Sequence, residues 1–147
     1  MQMQIFVTGA ANDPNVEELC RELERRKWRA HRGALGAADT GMRNRDVIDH
    51  FYHDPAASRT MCEEIGAVTR SMAAVLVFPG DNHSFLMAGM AAGAGKPLAL
   101  YVPKNVRIGR PHPAYLLAVG LFRSLDHLVH CLNEIEMSIG KLTKVAE

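Results

Sequence analysis

The sequence predicts an α/β fold: about five parallel strands in one sheet, doubly wound, with helices on both faces in a three-layer α/β/α sandwich. Three observations predict it. Short apolar runs alternate with helix-like periodicity along all 147 residues, the order expected of right-handed βαβ units. The clearest run, Ala73 to Phe78 (AAVLVF), is apolar at every position, as a strand covered on both faces must be. Two of the runs end at glycine-bearing turns that lead into helix starts, which is where open parallel sheets bind ligands.

Taken in order, Gln4 to Thr8 (QIFVT) is a buried first strand that stops at Gly9. Asp13 then caps a helix with Pro14 at its first position, and Val16, Leu19, Cys20 and Leu23 form one apolar stripe. Trp28 to Leu35 is the second strand, and Gly36 to Asn44, rich in Gly, Ala and Asp, reads as a loop. Asp46 to Tyr52 suits a short helix with Val47, Ile48 and Phe51 inward. Asp54-Pro55 repeats the cap signature, and Met61, Ile65 and Val68 mark a helix ending near Ser71. After the Ala73 strand, Ser84 to Ala94 reads as a small-residue helix with Gly95 as a left-handed C-terminal cap. Leu98 to Val102 is the fourth strand, 104–113 a loop, Ala114 to Val119 a short helix and Leu121 to Arg123 a last short strand. Ser124 caps a final helix carrying Leu128, Leu132 and Ile135, stopped by Gly140. No repeat, low-complexity tract or linker interrupts this, so residues 1–147 read as a single flavodoxin-like domain.

Composition removes several function classes. The net charge of +1 lacks the basic footprint of a nucleic-acid binder. The run Arg25, Arg26, Lys27 is balanced by Glu17, Glu18, Glu22 and Glu24 and reads as a solvated helix face. No apolar run approaches the ~20 residues that span a bilayer, and MQMQIFVTGA lacks the charge and apolar core of a signal peptide. Cys20, Cys62 and Cys131 form no CxxC pair and read as buried reduced thiols, which together imply a cytoplasmic protein. His50 and His53 lack a further metal ligand at suitable spacing, His127 and His130 read as surface residues, and the eight methionines read as core filler.

The candidate chemistry lies in two turns. One runs Thr8-Gly9-Ala10-Ala11-Asn12-Asp13, the other Pro79-Gly80-Asp81-Asn82-His83-Ser84. Both lead into helix N-termini, whose free N–H groups and dipole favour an anion, and Gly9 and Gly80 let the backbone approach a ligand closely. Neither turn is a GxGxxG fingerprint or a Walker loop, so neither a dinucleotide nor a triphosphate is implied and no cofactor is expected. The second turn carries more polar groups than capping requires.

The stretch AAVLVFPGDNHSFLMAGMAAGAGKPLALYVP resembles the nucleoside 2-deoxyribosyltransferase superfamily, which includes the nucleoside 5′-monophosphate N-glycosidases. That family carries an apolar strand, a polar turn with a serine, a helix reading Glu-x-Gly-x-Ala, then Gly-Lys-Pro before the next strand. Ser84, Gly89, Ala91, Gly95, Lys96 and Pro97 fit that order, and IFVTGA resembles the family's first strand and substrate loop. The likeness spans most of the chain in element order, but its specific part is about two dozen residues.

The resemblance implies a small-molecule ligand, a nucleoside or nucleotide. Gly9, Ala10, Asn12, Gly80, Asn82, His83 and Ser84 would then be binding residues. It implies a homodimer, and no nucleic-acid polymer, membrane or metal. It also exposes a departure: the family's catalytic Glu falls at Met87, and a thioether cannot form a glycosyl-enzyme or stabilise an oxocarbenium ion by charge. The carboxylates left for glycosidic cleavage are Asp81, on the turn, and Glu64, on the preceding helix roughly where the family places a supporting Asp. Glu63 and Glu64 otherwise read as solvent-exposed helix charges. A looser resemblance, through Pro79-Gly80, is to the lysine-decarboxylase-like phosphoribohydrolases. Related sensor domains bind nucleotide-derived ligands without catalysis, so the alternative is a non-catalytic sensor or interaction protein. Gly89 and Gly93 read as close-packing positions against the sheet or a second chain.

Overall fold

The computed structural model describes residues 2–33, 55–109 and 112–146. Five strands, β1 (Gln4–Thr8), β2 (Arg29–Arg32), β3 (Ala73–Val77), β4 (Leu98–Tyr101) and β5 (Gly120–Phe122), form one sheet in the order β2-β1-β3-β4-β5. Every pairing is parallel. The helices are α1 (Pro14–Arg25), α2 (Pro55–Arg70), α3 (Asn82–Gly93), α4 (Ala114–Leu117) and α5 (Leu125–Ala146). This is the doubly wound, flavodoxin-like arrangement expected from the alternation of elements.

Strand periodicity divides the core into two layers. Ile5, Val7, Val75 and Val77 face α1 and α5, meeting Val16, Leu19, Leu23, Leu128 and Leu132. Phe6, Ala74, Leu76, Leu98 and Leu100 face the other way, onto Ala67 and Val68 of α2 and Met87, Ala88 and Ala91 of α3. All five residues of β3 are buried, which explains its continuous apolar run. Asp13 caps α1 by accepting from the Asn15 N–H at 2.9 Å. Gly95, just beyond α3, has φ +77°, the left-handed conformation for which glycine is suited.

Several expectations change. β2 ends at Arg32, and the expected loop at Gly36 to Asn44 and helix at Asp46 to Tyr52, with His50 and His53, lie outside the described residues. α3 begins at Asn82, capped by Asp81, two residues earlier than the Ser84 start. Gly140 does not stop α5, which runs on to Ala146. A Cβ at Gly140 would meet no atom within 4 Å, so the residue is simply an unpacked helix position. The same holds for Gly89 and Gly93, so neither packs closely on the sheet. Cys62 is exposed rather than buried, while Cys20 and Cys131 are half-buried. Among the described residues no helix is long and apolar enough to cross a membrane.

Candidate functional site

The order of strands reverses at β1: α1 carries the chain outward to β2, and α2 brings it back across β1 to β3. The crevice beyond the carboxyl ends of β1 and β3 is therefore the topological switch point. Thr8 pairs with Leu76 there, so the turns after the two strands leave side by side.

Gly9 makes this juxtaposition possible. A Cβ on it would stand 2.6 Å from Val16 Cγ2 and 3.2 Å from Val77 Cβ. The chain then passes Ala10 and reaches Asn12 at φ +59°, a left-handed position that Asn tolerates better than most residues. After β3 the chain turns through a cis Phe78–Pro79 bond and Gly80 at φ +69°. Asp81 Oδ1 accepts from the Ser84 N–H at 2.8 Å. Ser84 Oγ accepts from the Asp81 N–H at 2.7 Å and donates to the Asp81 carbonyl at 2.9 Å. This reciprocal cap fixes the turn from beneath, because Ser84 is fully buried. Asn82 is exposed and His83 half-buried at the start of α3.

Glu64 reaches this crevice from α2. It is 5% exposed, whereas Glu63 beside it is exposed. The expectation of two solvated helix charges holds for Glu63 and fails for Glu64, because α2 turns the stripe Glu64, Ala67, Val68 and Ser71 inward and leaves Ile65 40% exposed. Glu64 Oε2 lies 2.8 Å from His83 Nε2. Its Oε1 would be 3.0 Å from a Cβ on Gly33, and Thr8 Oγ1 would be 3.5 Å from the same point. Gly33, at the end of β2, therefore leaves room for the carboxylate, and Thr8, Gly33, Glu64 and His83 come together at one edge of the sheet. The close contact and charge of Glu64, with a smaller contribution from Asp81, raise the His83 pKa above its ordinary value of 6.5, against the opposing effect of burial.

Beside the turn stands an aromatic group that sequence reasoning missed. Phe85 stacks on His112 at 4.2 Å between centroids, and Phe78 meets Phe85 and Tyr115 at 5.9 and 5.8 Å. Residues 78 and 85 lie near one another in sequence, but His112 and Tyr115 arrive from beyond β4, and nothing local announces the contact. Met87 is fully buried in the layer with Phe6 and Leu76, so its side chain belongs to the core and not to the crevice. A cavity of about 740 Å³ lies at the opposite end of the sheet, lined in part by Arg70, Met72, Pro97 and Cys131; no residue of the two turns touches it. Among the described residues no group of three or more His, Cys, Asp or Glu side chains is placed to hold a metal ion.

No protein-family profile and no curated protein matches the chain. Solved structures do. The CMP N-glycosidase BcmB of Clostridium botulinum superposes with a TM-score of 0.54 at 12% identity, over 88% of this chain and 98% of that one. A 2-deoxyribosyltransferase from the psychrotolerant bacterium Bacillus psychrosaccharolyticus superposes with a TM-score of 0.60 at 10% identity, over 85% and 89% of the two chains. At this identity the likeness concerns architecture: the chain shares its fold, over nearly its whole length, with a nucleotide N-glycosidase and a deoxyribosyltransferase.

Proposed function

We propose that the protein binds a nucleoside or nucleoside 5′-monophosphate in the crevice between the Gly9–Asn12 and Asp81–Ser84 turns. The observation that carries this reading is the buried Glu64, paired with His83 at the switch point of a fold shared with two proteins that act on such molecules. A carboxylate is kept out of water only where partners compensate it, and here the compensation sits at the ligand-binding edge. In this reading backbone N–H groups of the Ala10–Asn12 turn and of Asn82 and His83, with those two side chains, bind ribosyl or phosphate oxygens. Asp81 keeps one carboxylate oxygen for a hydroxyl or base, and Ser84 holds the turn in shape. The aromatic group around Phe85 flanks the base. If the glycosidic bond is cleaved, Glu64 and Asp81 are the carboxylates that take part.

The second reading, a non-catalytic sensor of such ligands, draws on Met87, which leaves α3 without a carboxylate between Asn82 and Gly93. One experiment separates the two. Thermal-shift measurements against deoxynucleosides, ribonucleosides and their 5′-monophosphates test binding, and chromatography of the same mixtures tests release of free base. Stabilisation with release supports the enzyme and stabilisation alone supports the sensor. No stabilisation by any of them refutes the proposal. Loss of base release in neither Asp81→Asn nor Glu64→Gln would remove the carboxylates from the mechanism.

Homodimerisation belongs to the same proposal. The outer side of α3 carries Leu86 at 54% exposure beside Gly89, Met90 and Gly93, and from Phe85 to Gly93 the helix has no polar side chain. A helix segment apolar all round is normally covered on all sides.

A further inference from the structure

We infer that His83 is a general base oriented by Glu64, and that the crevice cleaves an N-glycoside by direct attack of water instead of passing the sugar through a glycosyl-enzyme. The inference rests on the nucleoside or nucleotide reading above and adds the class of reaction. Its ground is the order in which the two side chains stand. The Glu64 side chain is 6% exposed and that of His83 is 16% exposed, with Nε2 and Oε2 2.8 Å apart. Glu64 lies behind: one oxygen holds the imidazole, and the other lies over the Gly33 backbone, near Thr8. The carboxylate stands deeper than the ring, so the imidazole is the group of the pair placed nearer to a water molecule in the crevice. No residue of α3 supplies a nucleophile in its stead, since the helix contains no carboxylate and Met87 is in the core. Asp81 has one oxygen engaged in capping the helix.

The chemistry follows from the tautomer this arrangement selects. Neutral imidazole with its proton on Nε2, the atom 2.8 Å from the Glu64 carboxylate, keeps the Nδ1 lone pair. Water attacks C1′. As the new O–C1′ bond forms, a water proton passes to Nδ1, the C1′–N bond breaks, and its electron pair leaves on the base. The imidazolium is stabilised by the Glu64 carboxylate behind it and returns its proton to the departing base or to solvent. The products are free base and a sugar bearing an anomeric hydroxyl, so atoms and charge balance. A single displacement inverts the anomeric centre and offers no intermediate that a second base can intercept. Among the described residues, the ionisable groups bearing on His83 are Glu64 from α2 and Asp81 from its own turn. Because both raise its pKa, the basic form, and with it the rate, increases as pH rises through that value.

The test uses the full chain with cytidine 5′-monophosphate and with 2′-deoxycytidine, each with and without added free adenine, analysed by chromatography. Binding is followed separately by thermal shift. The inference predicts release of cytosine and no adenine nucleoside or nucleotide. It predicts a loss of roughly 100-fold or more in His83→Gln, the scale of a general base, and a rate-limiting pKa shifted downward in Glu64→Gln. Imidazole NMR titration of His83 in the folded wild type and Glu64→Gln gives the same shift independently of activity. Appearance of an adenine product overturns the inference, as does cleavage within a few-fold of wild type in His83→Gln, or a His83 titration unmoved by Glu64→Gln. Binding without cleavage overturns it while leaving the binding proposal intact. Absence of binding overturns both.

Discussion

Replacing Met87 by Glu places a carboxylate where the resemblance puts the family's catalytic residue, and the structure predicts that the variant is damaged, not activated. Met87 has 0% exposure and lies among Phe6, Leu76 and Ala91. Losing its burial costs about 1.5–3 kcal/mol, and leaving a buried carboxyl without partners costs a further ~1–3 kcal/mol. The sum, about 2.5–6 kcal/mol, corresponds to a fall in Tm of roughly 5–25 °C for a chain of this size. The pH dependence has a definite sign. A buried carboxyl has a raised folded pKa, so it binds a proton more tightly in the folded state. The deficit is therefore smallest in acid and grows as pH rises through that pKa. Thermal unfolding of wild type and Met87→Glu, followed by circular dichroism at pH 5 and pH 8, measures both effects. A variant within about 1 kcal/mol of wild type at pH 8 would refute the reasoning, because it would mean that side chain 87 reaches water in the crevice.

Four further outcomes follow from the same structure. Gly9→Ala forces a Cβ to within 2.6 Å of Val16 Cγ2 and should cost about 1–3 kcal/mol in urea unfolding, the usual penalty of overpacking; a neutral result would contradict the close approach of β1, β3 and α1. Gly89→Ala meets no atom within 4 Å and should stabilise a monomer by up to ~1 kcal/mol; the same substitution weakens self-association if α3 packs against a second copy, so light scattering and unfolding together decide the dimer proposal. The His83 pKa is raised above 6.5 by its contact with Glu64, so the pair stabilises the fold below the unfolded value and that contribution is lost as pH rises through the folded one. Unfolding measured from pH 5 to 9 should therefore show a decline that Glu64→Gln lacks, and equal pH profiles would count against the pair. Thiol labelling should reach exposed Cys62 first and Cys20 last, whose pKa burial raises to about 11.

The fold was legible because its signals are local. Asp13-Pro14, the spacing Val16-Leu19-Leu23 and the unbroken apolar run of β3 each determine a start, a face or a depth from neighbours in sequence. Gly140 misled because a glycine at an exposed helix position carries a cost of only ~1 kcal/mol, too small to end a long helix that packs elsewhere. The site was legible in part. The two turns are where the sequence puts them, and the cap residues Asp81 and Ser84 lie three apart, as a reciprocal cap requires. Glu64 reads as solvated in the sequence because the spacing Met61, Ile65, Val68 puts Ile65 on the inner face. The competing stripe Glu64, Ala67, Val68, Ser71 has the same helical spacing. What decides between the two phases is His83, nineteen residues on, together with the room that Gly33 leaves. Neither is visible to a reading confined to one helix.

The most direct test of the central proposal is a ligand titration followed by NMR of the backbone amides and the histidine rings, using cytidine 5′-monophosphate. The proposal predicts saturable shifts confined to Thr8–Asp13, Glu64 and Gly80–Phe85, with the His83 ring among the most affected. Shifts confined instead to the cavity at the other end of the sheet, around Arg70, Met72 and Cys131, or no saturable shift for this nucleotide or the others of the panel, would contradict it.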